Sequence, residues 1–329
     1  MAKHKIAILL HEQFEMWRPP AWFMERLRGE FPQTEVAYSS NKRQDESVLG
    51  GADILIGWSL TPEQLHTATN LRWVYSITSA VDQFLCPELM ASDIAICNAG
   101  NVHGPVVAEH AIATVLALAK GLPFAVRYQD KRKWAMEAIW NEHRPSEIRG
   151  AAMTVVGLGS IGSEIATMAA ALKMKVIGVR ERPERGPAGA HEVIGYGSLD
   201  HAIARSGFVV LAAPLTSRTR HMIDSRRLTL FKPAAFLVNV SRGALLDEVA
   251  LVKALRDRRL AGAALDVFAE EPLPRRSALW KMPQVLITPH TAFLTANVWE
   301  RHYMTFTENL KRYLAGQPLE GTVDKNAGY

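Results

Sequence analysis

The chain has 329 residues, of which 48% are hydrophobic and 22% charged, and this composition excludes a disordered or low-complexity protein. Its length suits two domains of ordinary size better than one. The net charge of +5 suits a site for small anions, and the scatter of the basic residues outside "DKRKW" and "RERPER" argues against a nucleic-acid surface.

The cysteines and the apolar segments exclude further classes of protein. Cys86 and Cys97 are the only cysteines and lack CxxC spacing, so we predict neither a disulfide framework nor a metal site, and we expect a reducing cytoplasm. The longest apolar stretch, 111–119, is too short to span a bilayer and is interpreted as a buried helix. The run "KIAILL" precedes no cleavage site, so it is interpreted as a strand, and no membrane partner is expected.

The first hundred residues alternate short apolar runs with polar segments of helical pattern. Such alternation predicts a parallel α/β sheet. The runs interpreted as strands are "KIAILL", "TEVAYS", "ADILIGW", "LRWVYSIT" and "DIAICNA". From Val106 to about Lys120 the apolar spacing predicts a long helix, which would suit a crossing between domains.

A second α/β series follows this helix. Its strands are "AMTVVGL", "KVIGVR", "FVVLAAP", "AAFLVNV", "GAALDVF" and "QVLITP". Nearly all of them are apolar on both faces, as strands covered by helices must be. After Pro289 a helical pattern runs to about Leu314, and we expect that helix to return the chain to the first domain.

The segment "GLGSIG" joins the first strand of the second series to a helix. Gly157 permits a tight turn, Gly159 lets the backbone approach a pyrophosphate, and Gly162 allows the helix to pack closely. Ser160 and Ile161 lie at the helix N-terminus, where free N–H groups bind phosphate. This context favours a dinucleotide site over a glycine-rich turn of no function.

The next strand ends at Arg180, where an NAD-binding unit usually has an acidic residue that holds the ribose hydroxyls. An arginine can instead pair with a 2′-phosphate, and Arg182 can add a second contact. Glu181 would be unfavourable if it pointed inward, and Arg185 could take the place of Arg182. We therefore predict NADP as the preferred cofactor and NAD as the alternative; a solvated arginine loop is the competing interpretation.

Three later segments follow strands and should meet beyond the carboxyl edge of the sheet: "NVSRGALLDE", "ALDVFAEEPLP" and "ITPHTAF". With Arg242, Glu271 and His290 in these segments, the chain resembles the D-2-hydroxyacid dehydrogenase family. "NAGNVHGPVVAEHAIATVLALAKG" and "PLTSRTRHMID" extend the resemblance over almost the whole chain.

The resemblance implies an α/β fold of two doubly wound parallel-sheet domains. A Rossmann-type dinucleotide-binding domain, residues 102–292, is expected to be inserted into a discontinuous flavodoxin-like substrate domain, residues 1–101 and 293–329. The active site is expected in the cleft. The resemblance also implies a homodimer built through the nucleotide domain.

Each catalytic residue has a chemical reason for its role. Arg242 offers a planar fork of donors that binds a carboxylate and polarises the neighbouring keto oxygen. His290 can give that oxygen a proton while hydride from the cofactor reaches carbon. Glu271 would orient the ring and favour its protonated form by charge. Glu270 competes for this role, but the family's acid directly precedes its proline.

The resemblance also suggests binding residues outside this trio. Asp266 follows a buried apolar run and needs a partner, either the carboxamide of nicotinamide or an arginine. Pro214 is expected to shape the cofactor wall. The loop after "LRWVYS" lacks the family's glycines, but its backbone at Ser79 and Ala80 is still expected to bind the substrate carboxylate.

Two further pairs of residues are open to interpretation. His103 and His110 fit no short helical metal-ligand spacing, so satisfied helix histidines are favoured. Trp134 and Trp140 are expected in an interface or a core, with contribution to a neighbouring active site as the alternative.

The leading function is reduction of a short 2-keto acid to the D-hydroxy acid, or the reverse. Glyoxylate or hydroxypyruvate is the first candidate, because "EEPLPRRSALW" is similar to reductases of that type. The alternatives are a formate- or phosphite-type dehydrogenase, and a dinucleotide-sensing binding protein of the corepressor kind.

Overall fold

The structure is a computed structural model, and it describes residues 3–10, 14–84 and 86–325. The chain divides into two compact units, the first formed by Met1–His103 with Thr295–Tyr329 and the second by Gly104–Leu294. Each unit is built on a parallel sheet with interleaved helices.

The first unit alternates strands with short helices. Its elements within the described residues are β1 (His4–Leu9), α1 (Ala21–Glu30), β2 (Thr34–Ser39), α2 (Asp45–Leu49), β3 (Ile54–Gly57), α3 (Pro62–Thr67), β4 (Trp73–Ser76), α4 (Pro87–Met90), β5 (Ala95–Cys97), the start of α5 (Gly100–Lys120) and, near the chain end, α12 (Val298–Leu314). The described strands form one parallel sheet in the order β2-β1-β3-β4-β5, which is the flavodoxin-like order.

The second unit contains the rest of α5 and a longer series. Its elements within the described residues are α6 (Leu122–Asp130), α7 (Met136–His143), β6 (Ala152–Val156), α8 (Ser160–Ala171), β7 (Lys175–Val179), β8 (Glu192–Ile194), α9 (Leu199–Arg205), β9 (Phe208–Leu211), α10 (Ser225–Leu228), β10 (Phe236–Asn239), α11 (Glu248–Arg256), β11 (Gly262–Leu265) and β12 (Val285–Ile287). The sheet order is β12-β11-β10-β9-β6-β7-β8. The strand order reverses between β6 and β9, the position at which such sheets bind ligands.

Both faces of the second sheet are buried under apolar clusters. Val209 and Leu211 of β9 pack into one cluster, whereas Phe208 and Val210 pack into the other. Side chains alternate across a strand, so this division places one cluster on each face. The prediction that these strands are apolar on both faces is therefore confirmed.

Three elements differ from the sequence-based expectations. The strand β8 was not predicted. Helix α5 begins at Gly100, before Pro105, rather than at Val106. Helix α12 begins at Val298 rather than directly after Pro289, because the amides of Thr291 and Ala292 donate to the Asp266 carboxylate instead of joining a helix.

Within the described residues, α5 is the one helix whose length and composition would allow it to cross a membrane. In its most apolar window, 67% of the residues are buried inside the protein. This is the property of a core helix, and it agrees with the interpretation of the 111–119 stretch as buried.

Candidate active site

The glycine turn after β6 has one open and two crowded positions. Gly157 has φ +93°, and a Cβ there would lie 2.5 Å from the Ala213 backbone. A Cβ on Gly162 would lie 1.7 Å from the carbonyl oxygen of Gly157. At Gly159, by contrast, a Cβ would meet nothing within 4 Å. Two glycines are thus required by packing, whereas the middle one borders open space that a side chain would enter.

The start of α8 adds donors to this open space. The helix begins at Ser160, and its N-cap, Gly159, supplies no side-chain cap. The first-turn amides, including that of Ile161, therefore keep their hydrogen-bonding capacity, and the positive end of the helix dipole adds to it. These features fit the phosphates of a dinucleotide, since such groups need close backbone approach and free N–H donors.

The end of β7 carries the predicted cofactor arginines. The amide of Arg180 donates to the carbonyl of Ile194 at 3.0 Å, which fixes its backbone at the sheet edge. Among the described residues, the guanidinium groups of Arg180 and Arg182 have no hydrogen bond or ion pair. Glu181, between them, forms an ion pair with Arg218. Two cationic side chains at this edge thus remain available to an anion.

Pro214 lies in the segment that follows β9, next to the glycine turn. The contact of Gly157 with Ala213 brings this segment against the turn. The carbonyl of Pro214 accepts from Thr219 Oγ1 at 2.6 Å, and that of Ala213 accepts from Ser241 Oγ at 2.6 Å. Hydrogen bonds on both sides therefore hold the segment beside the phosphate-binding backbone.

His290 and Glu271 form the central contact of the site. His290 Nδ1 lies 2.7 Å from Glu271 Oε2, and the other carboxylate oxygen accepts from the Phe268 amide at 2.9 Å. Burial is the largest influence on the Glu271 carboxyl and opposes its ionisation. The bonds from His290 and Phe268, with the charges of His290 and Arg242, outweigh burial and lower the pKa of Glu271. The acid is therefore held ionised beside the ring.

His290 has an unusual backbone conformation and a partly exposed ring. Its φ of +53° is unusual for a residue with a side chain and stores local strain of about 1 kcal/mol or more, a feature that clusters at functional sites. The side chain is 43% exposed. Because Nδ1 is engaged by Glu271, Nε2 is the nitrogen left to meet a ligand.

Arg242 is brought to this pair by two residues that the sequence analysis did not single out. Asn239, fully buried, donates to the Arg242 carbonyl at 2.9 Å and accepts from the Ser241 amide at 3.1 Å. A Cβ on Gly243 would lie 1.9 Å from the Phe268 carbonyl carbon. The Arg242 loop is thus pressed against the loop that carries Glu271. Both residues lie in the quoted "NVSRG" segment, so their position beside Arg242 was the sequence signal that could have identified them.

Asp266 organises the loop that carries His290. The side chain is 2% exposed, and its oxygens accept from Thr288 Oγ1 at 2.6 Å, the Thr291 amide at 2.9 Å and the Ala292 amide at 3.1 Å. Its carbonyl accepts from the His290 amide at 2.8 Å. The alternative of an arginine partner was wrong: no arginine pairs with Asp266 in the described part of the chain.

His110 and Thr288 extend the Asp266 network. His110 Nε2 lies 3.1 Å from Thr288 Oγ1 and 3.7 Å from Asp266 Oδ1. His103, on the same helix, has Nε2 3.0 Å from the Ile77 carbonyl. Each histidine thus has a partner within the protein, and no cluster of three or more histidine, cysteine or acidic side chains that could hold a metal occurs among the described residues.

Ser79 and Ala80 lie in the first unit, in the loop after β4. The Ser79 carbonyl accepts from Asn98 Nδ2 at 2.8 Å, and that of Ala80 accepts from Thr78 Oγ1 at 2.6 Å. These bonds fix the backbone of the loop. The amides of both residues have no acceptor among the described residues. The loop therefore presents two N–H donors.

Trp134 and Trp140 are not core residues. They are 98% and 61% exposed, so the core interpretation was wrong. They share the α6–α7 region with other exposed apolar side chains, namely Leu122, Val126 and Met136.

Comparison with known proteins gives consistent matches. The family model described as D-isomer specific 2-hydroxyacid dehydrogenase, NAD binding domain, matches residues 112–292. A glyoxylate reductase of Pyrococcus furiosus is 30% identical over 320 residues, which are 96% of this chain and 91% of the relative. A D-3-phosphoglycerate dehydrogenase of Methanocaldococcus jannaschii is 29% identical over 302 residues, 91% of this chain. The chain spans only 57% of that second relative's length.

A solved structure matches over almost the full length of both chains. It is an NADPH-dependent glyoxylate/hydroxypyruvate reductase from Sinorhizobium meliloti, in complex with NADP and sulfate. Its TM-score is 0.82 and its sequence identity is 26%, over 99% of this chain and 100% of that one.

Proposed function

The chain belongs to the D-isomer specific 2-hydroxyacid dehydrogenase family, and we propose that it reduces a short 2-keto acid to the D-2-hydroxy acid, or catalyses the reverse oxidation, with NADP as its preferred cofactor. The observation that carries this proposal is the 2.7 Å hydrogen bond between His290 Nδ1 and Glu271 Oε2, with the charge of Arg242 acting on the same carboxylate. A proton donor beside a carboxylate-binding guanidinium is what keto-acid reduction requires.

We assign a role to each of the three residues. Arg242 binds the substrate carboxylate and polarises the keto oxygen. His290 donates the Nε2 proton to that oxygen as it becomes a hydroxyl. Glu271, bonded to Nδ1, fixes the ring orientation and supports its positive charge. A nicotinamide bound at this site would supply the hydride that reduction of the keto carbon requires.

The cofactor proposal draws on the glycine turn and the β7 edge. The open position at Gly159 and the uncapped start of α8 support binding of the pyrophosphate. Arg180 and Arg182 support binding of a 2′-phosphate. The carboxamide of nicotinamide is assigned to Asp266, and Pro214 is assigned to the wall of the cofactor site.

Glyoxylate or hydroxypyruvate is the proposed substrate. The names of the Pyrococcus and Sinorhizobium relatives support this choice. The free amides of Ser79 and Ala80 are assigned to the substrate carboxylate, since an anion binds well to paired backbone donors.

A homodimer in the cytoplasm completes the proposal. The exposed apolar side chains around Trp134 and Trp140 support an interface formed by the second unit, because aromatic residues are enriched at interfaces. Light scattering should give twice the chain mass at assay concentrations. A monomer mass would contradict the dimer but would not bear on the proposed reaction.

The decisive experiment is a panel of small acids assayed with NADPH and with NADH. We expect reduction of glyoxylate or hydroxypyruvate. At low cofactor concentration, the rate should be higher with NADPH than with NADH. Turnover of formate or phosphite instead would establish a different dehydrogenase. Tight dinucleotide binding without turnover of any acid would favour a sensing protein.

A further inference from the structure

Glu181 stands between the two arginines assigned to the 2′-phosphate, and its carboxylate is paired with Arg218. We infer that Arg218 determines cofactor specificity by neutralising Glu181 beside the 2′-phosphate. This inference rests on the proposed use of NADP and extends it to a residue far along the sequence.

The position of the pair follows from the order of the strands. Glu181 follows β7 and Arg218 follows β9, and β6 lies between these strands in the sheet. The pair therefore bridges the carboxyl end of β6, where the glycine turn lies. A nucleotide held by that turn would therefore lie next to both side chains.

The Arg218 loop is held in place by its own hydrogen bonds. Thr219, 1% exposed, donates its hydroxyl to the Pro214 carbonyl at 2.6 Å and accepts from the Thr216 amide at 2.8 Å. These bonds anchor the residue next to Arg218 to the segment beside the glycine turn. The guanidinium is thus presented to Glu181 from a fixed backbone, although its side chain is 66% exposed.

A free Glu181 carboxylate would act against NADP in two ways. It would repel the negatively charged 2′-phosphate and cancel part of the attraction from Arg180 and Arg182. It would also accept hydrogen bonds from an unphosphorylated ribose, as the acidic residue of NAD-binding units does. The ion pair with Arg218 opposes both effects, because it satisfies the carboxylate and cancels its charge.

The test measures binding rather than turnover. Calorimetry on the full chain gives the affinities of 2′-phospho-ADP-ribose and ADP-ribose, and their ratio is the 2′-phosphate preference. Arg218→Gln should reduce this preference by about three- to tenfold, the range for one charge near an exposed site. Adding Glu181→Gln should return it to within about twofold of wild type, since the two residues are coupled.

Controls separate this mechanism from its competitors. Arg220→Gln removes the same charge two residues away, from an exposed side chain, and should leave the preference unchanged. If the double variant keeps the reduced preference of Arg218→Gln, Arg218 contacts the phosphate directly and the inference is wrong. If Glu181→Gln alone weakens ADP-ribose binding, Glu181 holds the ribose and the inference is also wrong. A wild type that binds neither nucleotide overturns the proposed function itself.

Discussion

His302 in the first unit and His290 in the second each lie beside an oxygen atom, but their surroundings differ. His302 is 1% exposed, and its Nδ1 lies 3.1 Å from the Tyr75 hydroxyl. Burial, and then the charge of His103, hold the pKa of His302 well below its usual range. The His290 side chain is 43% exposed and meets the ionised Glu271. One ring is kept neutral, whereas the other has a partner for its positive charge.

The same contrast extends to other ionisable groups. In the first unit, burial raises the pKa of Cys97 to about 12 and raises that of Tyr75 as well. At the carboxyl edge of the second sheet, Arg180 and Arg242 lie in loops and are only partly buried. Charge is therefore suppressed in the first core and retained where a charged ligand is expected.

Replacing the exposed ring should have the largest effect on activity. We expect His290→Ala to lower kcat for keto-acid reduction by about 10² to 10⁴, the usual contribution of general acid catalysis. The free energy of unfolding should fall only modestly, because the pair that His290 forms with Glu271 is partly exposed. Steady-state kinetics measure the change in kcat, and urea unfolding of the same preparations measures the change in stability. Near wild-type reduction across the pH range would show that another group donates the proton.

Arg180, at the end of β7, tests whether a charge at this edge of the sheet serves the cofactor. Arg180→Asp should shift the ratio of kcat/KM for NADPH to that for NADH toward NADH by about tenfold or more, because a charge-assisted bond is worth about 1.5–3 kcal/mol. The introduced carboxylate also accepts bonds from the ribose hydroxyls. The two cofactors are compared on wild type and variant. A wild type that already favours NADH would contradict the assignment before any variant is made.

The carboxylate beside His290 should set the alkaline limit of reduction. The pKa of Glu271 lies below its usual value, so the carboxylate is charged throughout the neutral range and favours the protonated ring. Glu271→Gln keeps the size and removes the charge. Reduction needs the protonated ring, so its rate should fall at a lower pH than in wild type. The measurement is kcat/KM against pH, and an alkaline limb at its wild-type position would count against the pairing.

The sequence was informative where the reason for a residue is local. Gly162 has a steric reason within one turn, because a Cβ there would meet the Gly157 carbonyl, and Gly157 has a positive φ; long apolar runs in the sequence predicted the strands. The missed β8 is three partly buried residues at the sheet edge, and so has no apolar run. The partners of Asp266 are mainly backbone amides 25 and 26 positions away. Neither these amides nor the Glu181–Arg218 pair leaves a mark in the sequence, because folding alone brings them together.

The smallest expected effect concerns the neutral histidines of the first unit. An unfolded histidine binds a proton near its usual pKa of 6.5, whereas burial lowers the pKa of both His302 and His103 in the folded unit. The unfolded chain therefore binds more protons just below pH 6.5. Above this pH both rings are neutral in the folded and the unfolded chain, and the free energy of unfolding has its full value. It decreases as the pH falls below 6.5 toward the lower pKa values of the folded state.

His302→Gln removes one of these groups and keeps a polar atom for Tyr75. The slope of unfolding free energy against pH below 6.5 should fall by up to about 1.4 kcal/mol per pH unit, the value for one proton. Urea unfolding can be followed by tryptophan fluorescence, since the Trp299 ring lies 5.3 Å from that of His302. Tyr75→Phe is the matched control: it removes the hydrogen bond but keeps the histidine, so stability should fall while the slope stays. An unchanged slope in His302→Gln would place the proton uptake on other groups.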